Sequence, residues 1–239
     1  MAGRNIIITG GTSGIGAELV RRYIGRHNVL IVGRSPSEEI QSYIDDVPTI
    51  FFVEADLSSP QKASELIEKK IKALKWEGVS NAILNAGIGF VGNEGFESAE
   101  NIRKTLSVNL TSNIAISQML FPYLQAGKGK LTLIGSTSYK GQKEVPSYAA
   151  SKAALHGLAR SLGQEWGGRV DVQIIHPGPT NTPMHEKAGL KLGFIKYLFT
   201  EPRSMAAMID KTIASRRVSA KLSFFHDWAG STILSRGLK

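Results

Sequence analysis

Short β-branched runs alternate with longer helical stretches along this chain, and that rhythm leaves few folds open. Asn5–Thr9, Val29–Val32, Thr49–Val53, Ala82–Leu84, Lys130–Ile134 and Asp171–Ile175 are brief apolar runs bounded by Gly, Asn, Asp or Pro, the form that buried parallel strands take. Helical windows at about 14–26, 61–75, 98–125 and 147–166 lie between them, and Lys221–Phe225 reads as a seventh strand. The alternation predicts an α/β fold: a doubly wound, mostly parallel, seven-stranded sheet with helices on both faces. With 239 residues, no linker-like stretch and no repeat beyond the βα unit, residues 1–239 read as a single domain.

Composition narrows the class further. The chain has no cysteine, which excludes disulfides, a thiol nucleophile and thiolate zinc sites. No apolar run approaches the roughly 18 residues of a membrane span, and Met1–Asn5 leads straight into strand-like sequence, so no signal peptide is expected and the chain reads as cytoplasmic. Of the formal net charge of +9, residues 184–239 supply +6, from ten Lys/Arg against four Asp/Glu. No basic tract or basic amphipathic helix dominates, so neither nucleic acid nor a membrane is the expected partner. Residues 184–204 break the rhythm with an apolar, lysine-dotted insertion after the sixth strand. That is where open α/β sheets bind ligands, so the insertion is read as a substrate lid.

At the first strand-to-helix junction the sequence runs Thr9-Gly10-Gly-Thr12-Ser13-Gly14-Ile15-Gly16. Gly10 allows a tight turn, Gly14 lets backbone N–H groups approach a pyrophosphate at the helix N-terminus, and Gly16 allows helix to pack closely on strand. Selectivity between nicotinamide dinucleotides is decided beyond the second strand, where a carboxylate would favour NAD. Here the strand ends in Gly33-Arg34-Ser35. The guanidinium of Arg34 suits a 2′-phosphate, so NADP(H) is favoured over NAD(H).

Pro146-Ser147-Tyr148-Ala149-Ala150-Ser151-Lys152 places a phenol and an amine four residues apart, on one helix face. Hydride transfer to a carbonyl leaves charge on oxygen, which needs a proton donor, a cation that tunes that donor, and a second hydrogen-bond donor. Tyr148 with Lys152 supplies the first two, the ammonium being expected to lower the ionisation of the phenol. Ser136, directly after Leu131–Gly135, supplies the third; Ser138 is a rival two residues on.

The glycine turn with Tyr-x-x-x-Lys resembles the short-chain dehydrogenase/reductase family, whose single-domain members are of this length. The resemblance implies a Rossmann-like fold, with Tyr148 as general acid/base and Lys152 as the cation that also binds nicotinamide ribose. It implies Ser136 as the carbonyl-polarising serine, and Asn109 as the asparagine that kinks its helix and holds a proton-relaying water. Cofactor contacts implied in the same way are Gly10, Thr12, Ser13, Gly14, Ile15, Gly16, Arg34, Asp56, Leu57, Asn85, Ala86, Gly87, Pro177, Gly178, Thr180 and Thr182. Two departures stand out: the Ser136–Tyr148 interval of twelve is one shorter than the family's frequent spacing, and Phe224–Gly230 replaces its usual C-terminal turn. A homodimer or homotetramer is expected, because windows 98–125 and 147–166 are more apolar than a solvated surface.

The five histidines show no metal spacing, so no metal cofactor is expected, and His176, just before Pro177, reads as a packed residue. The leading function is hydride transfer between NADP(H) and a small-molecule ketone or secondary alcohol. The alternatives are a 3-oxoacyl thioester reductase of fatty-acid or polyketide type and, in another class, a non-catalytic dinucleotide-binding redox sensor. Initial rates with NADPH are expected to exceed those with NADH. Arg34→Asp should reverse the preference, cutting kcat/KM for NADPH about 10- to 100-fold, the loss of one charge-assisted phosphate contact.

Overall fold

The computed structural model describes residues 3–92, 96–184, 188–189, 199–215 and 218–222. Along the chain these form β1 (Asn5–Thr9), α1 (Gly14–Tyr23), β2 (Asn28–Gly33), α2 (Glu38–Asp46), β3 (Ile50–Glu54), α3 (Pro60–Ala73) and β4 (Asn81–Leu84). There follow α4 (Ala99–Leu106), α5 (Ser112–Ala126), β5 (Lys130–Ile134), α6 (Pro146–Glu165), β6 (Asp171–Pro177), α7 (Pro202–Ile213) and β7 (Ser219–Leu222). The seven strands lie in the order β3-β2-β1-β4-β5-β6-β7, and every pairing is parallel.

Side chains alternate across each strand, so the sheet has two apolar faces. Ile7, Leu30 and Val32 point to one face, which Ile67 and Ile71 of α3, Ile116 and Leu120 of α5 and Leu155 of α6 cover. Ile6, Ile8, Val29 and Ile31 point to the other, covered by Leu19 and Val20 of α1, Ile40 of α2, and Met205 and Ile209 of α7. With both faces buried, the strands need no polar alternation, which is why they read as continuous apolar runs.

Two helices lie outside the expected windows. Helix α2 begins where the Ser37 side chain accepts from the Ile40 N–H; Ile40, Tyr43, Ile44 and Val47 fall at i, i+3, i+4 and i+7 and pack on the core, a helical signal that is short, at nine residues, beside the expected windows. Helix α7 starts at Pro202, inside the segment expected as a lid. The long window 98–125 is three pieces, α4 and α5 separated by a π turn at Ser107–Thr111. Strand β7 begins two residues before the expected run, paired with β6 from Ile174↔Ser219 to Pro177↔Leu222. Phe224–Gly230 and most of 184–198 lie outside the described residues. Among the described residues no helix is long and apolar enough to cross a membrane.

The winding reverses between β1 and β4, which sit side by side. The chain leaves β1 toward one edge and β4 toward the other, opening a crevice at their carboxyl ends. The crevice depends on how closely α1 approaches β1. A Cβ at Gly16 would lie 2.1 Å from the Gly10 carbonyl oxygen and 2.7 Å from Nδ2 of Asn85. Gly16→Ala should therefore destabilise by more than about 3 kcal/mol. Gly157→Ala, at an exposed helical position with nothing within 4 Å, should stabilise by about 1 kcal/mol. Thermal or urea unfolding of the two variants against wild type measures both.

Candidate active site

The glycine turn is built as an anion cradle. Gly10 and Gly14 hold φ of +66° and +54°, values that side chains rarely tolerate. A Cβ at Gly10 would press against Ala86 Cα at 2.9 Å. Ser13 precedes α1 without a side-chain capping bond, and no acidic residue stands in the first turn of the helix. Its N–H groups and positive dipole end are left for an anion. Strand β4 braces the turn: Asn85 Nδ2 donates to the Thr9 and Gly10 carbonyls at 3.1 and 3.3 Å, and the Ala86 N–H donates to Thr9 Oγ1 at 3.1 Å. The cradle fits a dinucleotide pyrophosphate, with room where side chains would intrude.

Further along the crevice, Thr12 lies against Gly33, where a Cβ would meet its Cγ2 at 2.8 Å. Arg34 is exposed at the end of β2. Asp56 accepts the Ser58 N–H at 2.9 Å; that bond, with help from Arg34 and Lys104, holds its carboxyl below the usual range. The side chain of Leu57 is buried in the core, and Ile15, partly buried, packs against the core of the opposite face. The Pro177–Thr182 stretch crosses above the turn: a Cβ at Gly14 would lie 3.2 Å from Thr182 Cγ2. Gly178 N–H donates to Leu222 O at 2.6 Å and Thr180 Oγ1 to Gly178 O at 3.0 Å.

The chemistry-bearing residues meet beside this cradle. Lys152 is 3% exposed and donates from Nζ to the Ile134 carbonyl at 2.9 Å. Burial holds its pKa down to about 8. Nζ sits 5.6 Å from the centroid of the Tyr148 ring, over its face. Asn109 is fully buried within the π turn. It accepts from the Ile88 N–H at 2.8 Å and donates to Ile88 O and Ser151 Oγ at 2.8 and 3.0 Å. The extra residue in that turn re-aims the helix, as such turns do at functional sites. Gly87 lies across from Lys152 and Asn109, where a Cβ would sit 3.2 Å from Nζ and 3.5 Å from Oδ1.

The ionisation of Tyr148 differs from expectation. Burial pushes the phenol up, and the Ser136 side chain beside it pulls the other way. The reason is placement: Lys152 faces the ring and is engaged by Ile134, so desolvation of the phenolate wins. Ser136 donates to Ser138 Oγ at 3.0 Å, and Ser138 in turn donates to Gln142 Oε1, so the two candidate serines form one hydroxyl chain with Ser136 at the Tyr148 end.

Some neighbours of the site carry no sequence signal. Glu97 accepts from the Ser147 N–H and Oγ at 2.8 and 2.7 Å, placing a carboxylate on the first turn of α6 beside Tyr148. A Cβ at Gly89 would lie 3.2 Å from the Tyr148 ring. The segment expected as a lid is tied at its base, where Asn181 N–H donates to Thr200 O at 2.9 Å and Thr200 N–H to Pro179 O at 3.0 Å. Val91 N–H donates to Ala188 O at 2.9 Å, tying Ala188 to the loop whose Gly89 lies against Tyr148.

A family model described as short chain dehydrogenase matches residues 4–192. The acetoacetyl-CoA reductase of Acinetobacter is 31% identical over 74% of this chain and 75% of its own. The 11-beta-hydroxysteroid dehydrogenase A of Sesamum indicum is 25% identical over 74% of this chain and 53% of its own; the chain spans about half the length of such plant relatives. Among solved structures, a putative NAD(P) dependent gluconate 5-dehydrogenase from Beutenbergia cavernae, with bound NADP, superposes with a TM-score of 0.79 at 27% identity, over 97% of this chain and 98% of that one. A Rossmann-like sheet that opens on a glycine cradle, and a family match over 189 of 239 residues, lead to one statement: this chain belongs to the short-chain dehydrogenase family of oxidoreductases.

Proposed function

We propose that the chain is an NADPH-dependent reductase of a ketone, able to run in reverse on a secondary alcohol. The observation that carries this reading is the meeting of Ser136, Tyr148, Lys152 and Asn109 beside the turn of Gly10, Gly14 and Gly16. The first turn of α1 and Thr12, Ser13, Asn85 and Gly87 would hold the dinucleotide backbone; Arg34 would meet the 2′-phosphate. Thr180 and Thr182 would face the nicotinamide carboxamide. When bound, the cofactor supplies the hydride.

The residues of the chain do the rest. The Tyr148 phenol is neutral at pH 7 and would be the proton donor in the reductive direction; burial pushes its pKa up, and the Lys152 ammonium and Ser136 would ease release of the proton as the substrate oxygen takes it. Ser136 donates to the substrate oxygen as charge develops there. The buried ammonium of Lys152 supports that charge from beneath the ring, and Asn109 holds the inner end of the proton path. The insertion after β6 would be the lid; the Thr180–Thr200 bridge and the start of α7 at Pro202 bound it on the described side. The similarity to an acetoacetyl-CoA reductase and the basic final quarter favour a 3-oxoacyl thioester among possible ketones. The whole chain works as one domain, in the cytoplasm, as a homodimer or homotetramer.

A panel of diacetyl, cyclohexanone, acetoacetyl-CoA and cyclohexanol, followed by absorbance of the reduced nicotinamide, tests the activity; absence of turnover across the panel would sink the reading. Tyr148→Phe should lower kcat at least about 100-fold, while NADPH affinity by fluorescence titration stays within twofold. Lys152 makes a separate prediction about stability. Its folded pKa of about 8 lies below the unfolded value of about 10.4, so the unfolded chain binds more protons between those limits. Stability contributed at this site therefore rises with pH through that window, and below it the buried charge costs roughly 3 kcal/mol. Urea titrations of wild type and Lys152→Met should show the variant ahead at pH 7 and the gap narrowing toward pH 10.

A further inference from the structure

Behind Ser136 lies an arrangement that the proton-transfer set does not use. His176 on β6 is fully buried. Its Nδ1 is 3.1 Å from the Ser136 carbonyl oxygen, and its Nε2 is 3.1 Å from Nδ1 of His156 on α6. Residue 135 is glycine by necessity, since a Cβ there would lie 2.4 Å from His176 Nδ1. Tyr139, in the 3-10 turn Thr137–Lys140, stacks on both imidazoles with centroids 4.3 and 5.6 Å away. The Ser136 hydroxyl also accepts the Ser138 N–H that opens this turn. Elements β5, β6, α6 and the 3-10 turn thus converge on one peptide, the one that carries the Ser136 hydroxyl.

The chemistry fixes who donates. A carbonyl oxygen only accepts, so Nδ1 of His176 carries a hydrogen. In a neutral ring Nε2 is then a lone pair, and His156 must donate from its Nδ1. Burial, reinforced by His156, Lys152 and Lys221, holds His176 down to about 4, which keeps the ring neutral at physiological pH. Arg160 and Lys221 likewise disfavour charge on His156, after burial.

We propose that His176, held in one tautomer by His156, is a positioning residue that locks the Ser136 peptide so that its hydroxyl meets Tyr148 and the substrate oxygen. The inference rests on the reading of Ser136 as a hydrogen-bond donor to substrate. It assigns a task to a histidine that, from its position before Pro177, reads in the sequence as a packed residue rather than one lining the site.

The test is a kinetic cycle with NADPH and whichever ketone of the panel turns over fastest, using Ser136→Ala, His176→Leu, His176→Asn and the double variant Ser136→Ala/His176→Leu. His176→Leu should lower kcat on the order of 10- to 100-fold, the effect of a misplaced reacting group, with NADPH affinity unchanged. His176→Asn should retain most of the rate, because its amide nitrogen replaces the Nδ1–H donor. The double variant should be no slower than Ser136→Ala alone, since a positioning residue has nothing left to position. The role is overturned by a His176→Leu rate within twofold of wild type, by equal losses in the Leu and Asn variants, or by additive losses in the double variant. Should His176→Leu fail to fold, His156→Leu takes its place: a severalfold drop in kcat supports the role, and wild-type kcat overturns it. A wild-type rate in Ser136→Ala would instead overturn the reading of Ser136 itself.

Discussion

The carbonyl oxygen of Gly10 and the backbone of Gly16 approach so closely that even a methyl group would collide at 2.1 Å. That contact seats α1 against the end of β1, and the seating aims the free N–H groups of the helix into the crevice. Asn85, reaching from β4 to the Thr9 and Gly10 carbonyls, then ties the two strands between which the winding reverses. The glycine turn and the strand ends beside it are therefore one rigid piece. A loop held only by its own residues could not keep a pyrophosphate site and a proton donor in fixed register.

Around this frame the electrostatics are held in tension. Lys152 is buried, and among the described residues no carboxylate pairs with it; the Ile134 carbonyl is its acceptor. A buried cation without a counter-charge is unfavourable for the empty protein, yet it is well placed where negative charge develops on a substrate oxygen. The same desolvation pushes the phenol of Tyr148 up. In the proposed reduction that cost would be relieved as charge develops on the substrate oxygen.

The parts of this picture that were legible in the sequence share a property: each is local. Strand β1 and strand β5 fall on the expected residues because a short apolar run bounded by breakers is readable in place. The glycine turn and the Tyr148–Lys152 pair are equally self-contained, being spacings along one strand-turn-helix and one helix. Helix α2 escaped because it is only nine residues long, although Ile40, Tyr43, Ile44 and Val47 keep helical spacing, and α7 because its apolar face follows an insertion that blurs where helix begins. Glu97 could not be found at all: its partner is 50 residues away, and nothing about an isolated glutamate announces a helix start.

By itself the sequence determined the α/β class, the glycine-rich strand-to-helix turn and the phenol–amine spacing, since these follow from periodicity of 2 or 3.6 and from side-chain types at short separation. Tertiary structure alone decided which distant residues share the crevice. Asn85, Asn109, Ser136 and Tyr148 come from four separate segments, brought together by strand order. It also decided the sign of the Tyr148 shift, which the i,i+4 amine suggested would be downward and which burial turned upward. Ionisation depends on the solvent a group has lost and on everything packed about it, and His176 with its two nitrogens committed to Ser136 and His156 shows the same dependence. Such properties belong to the surroundings of a residue in space, which a linear order of side chains does not contain.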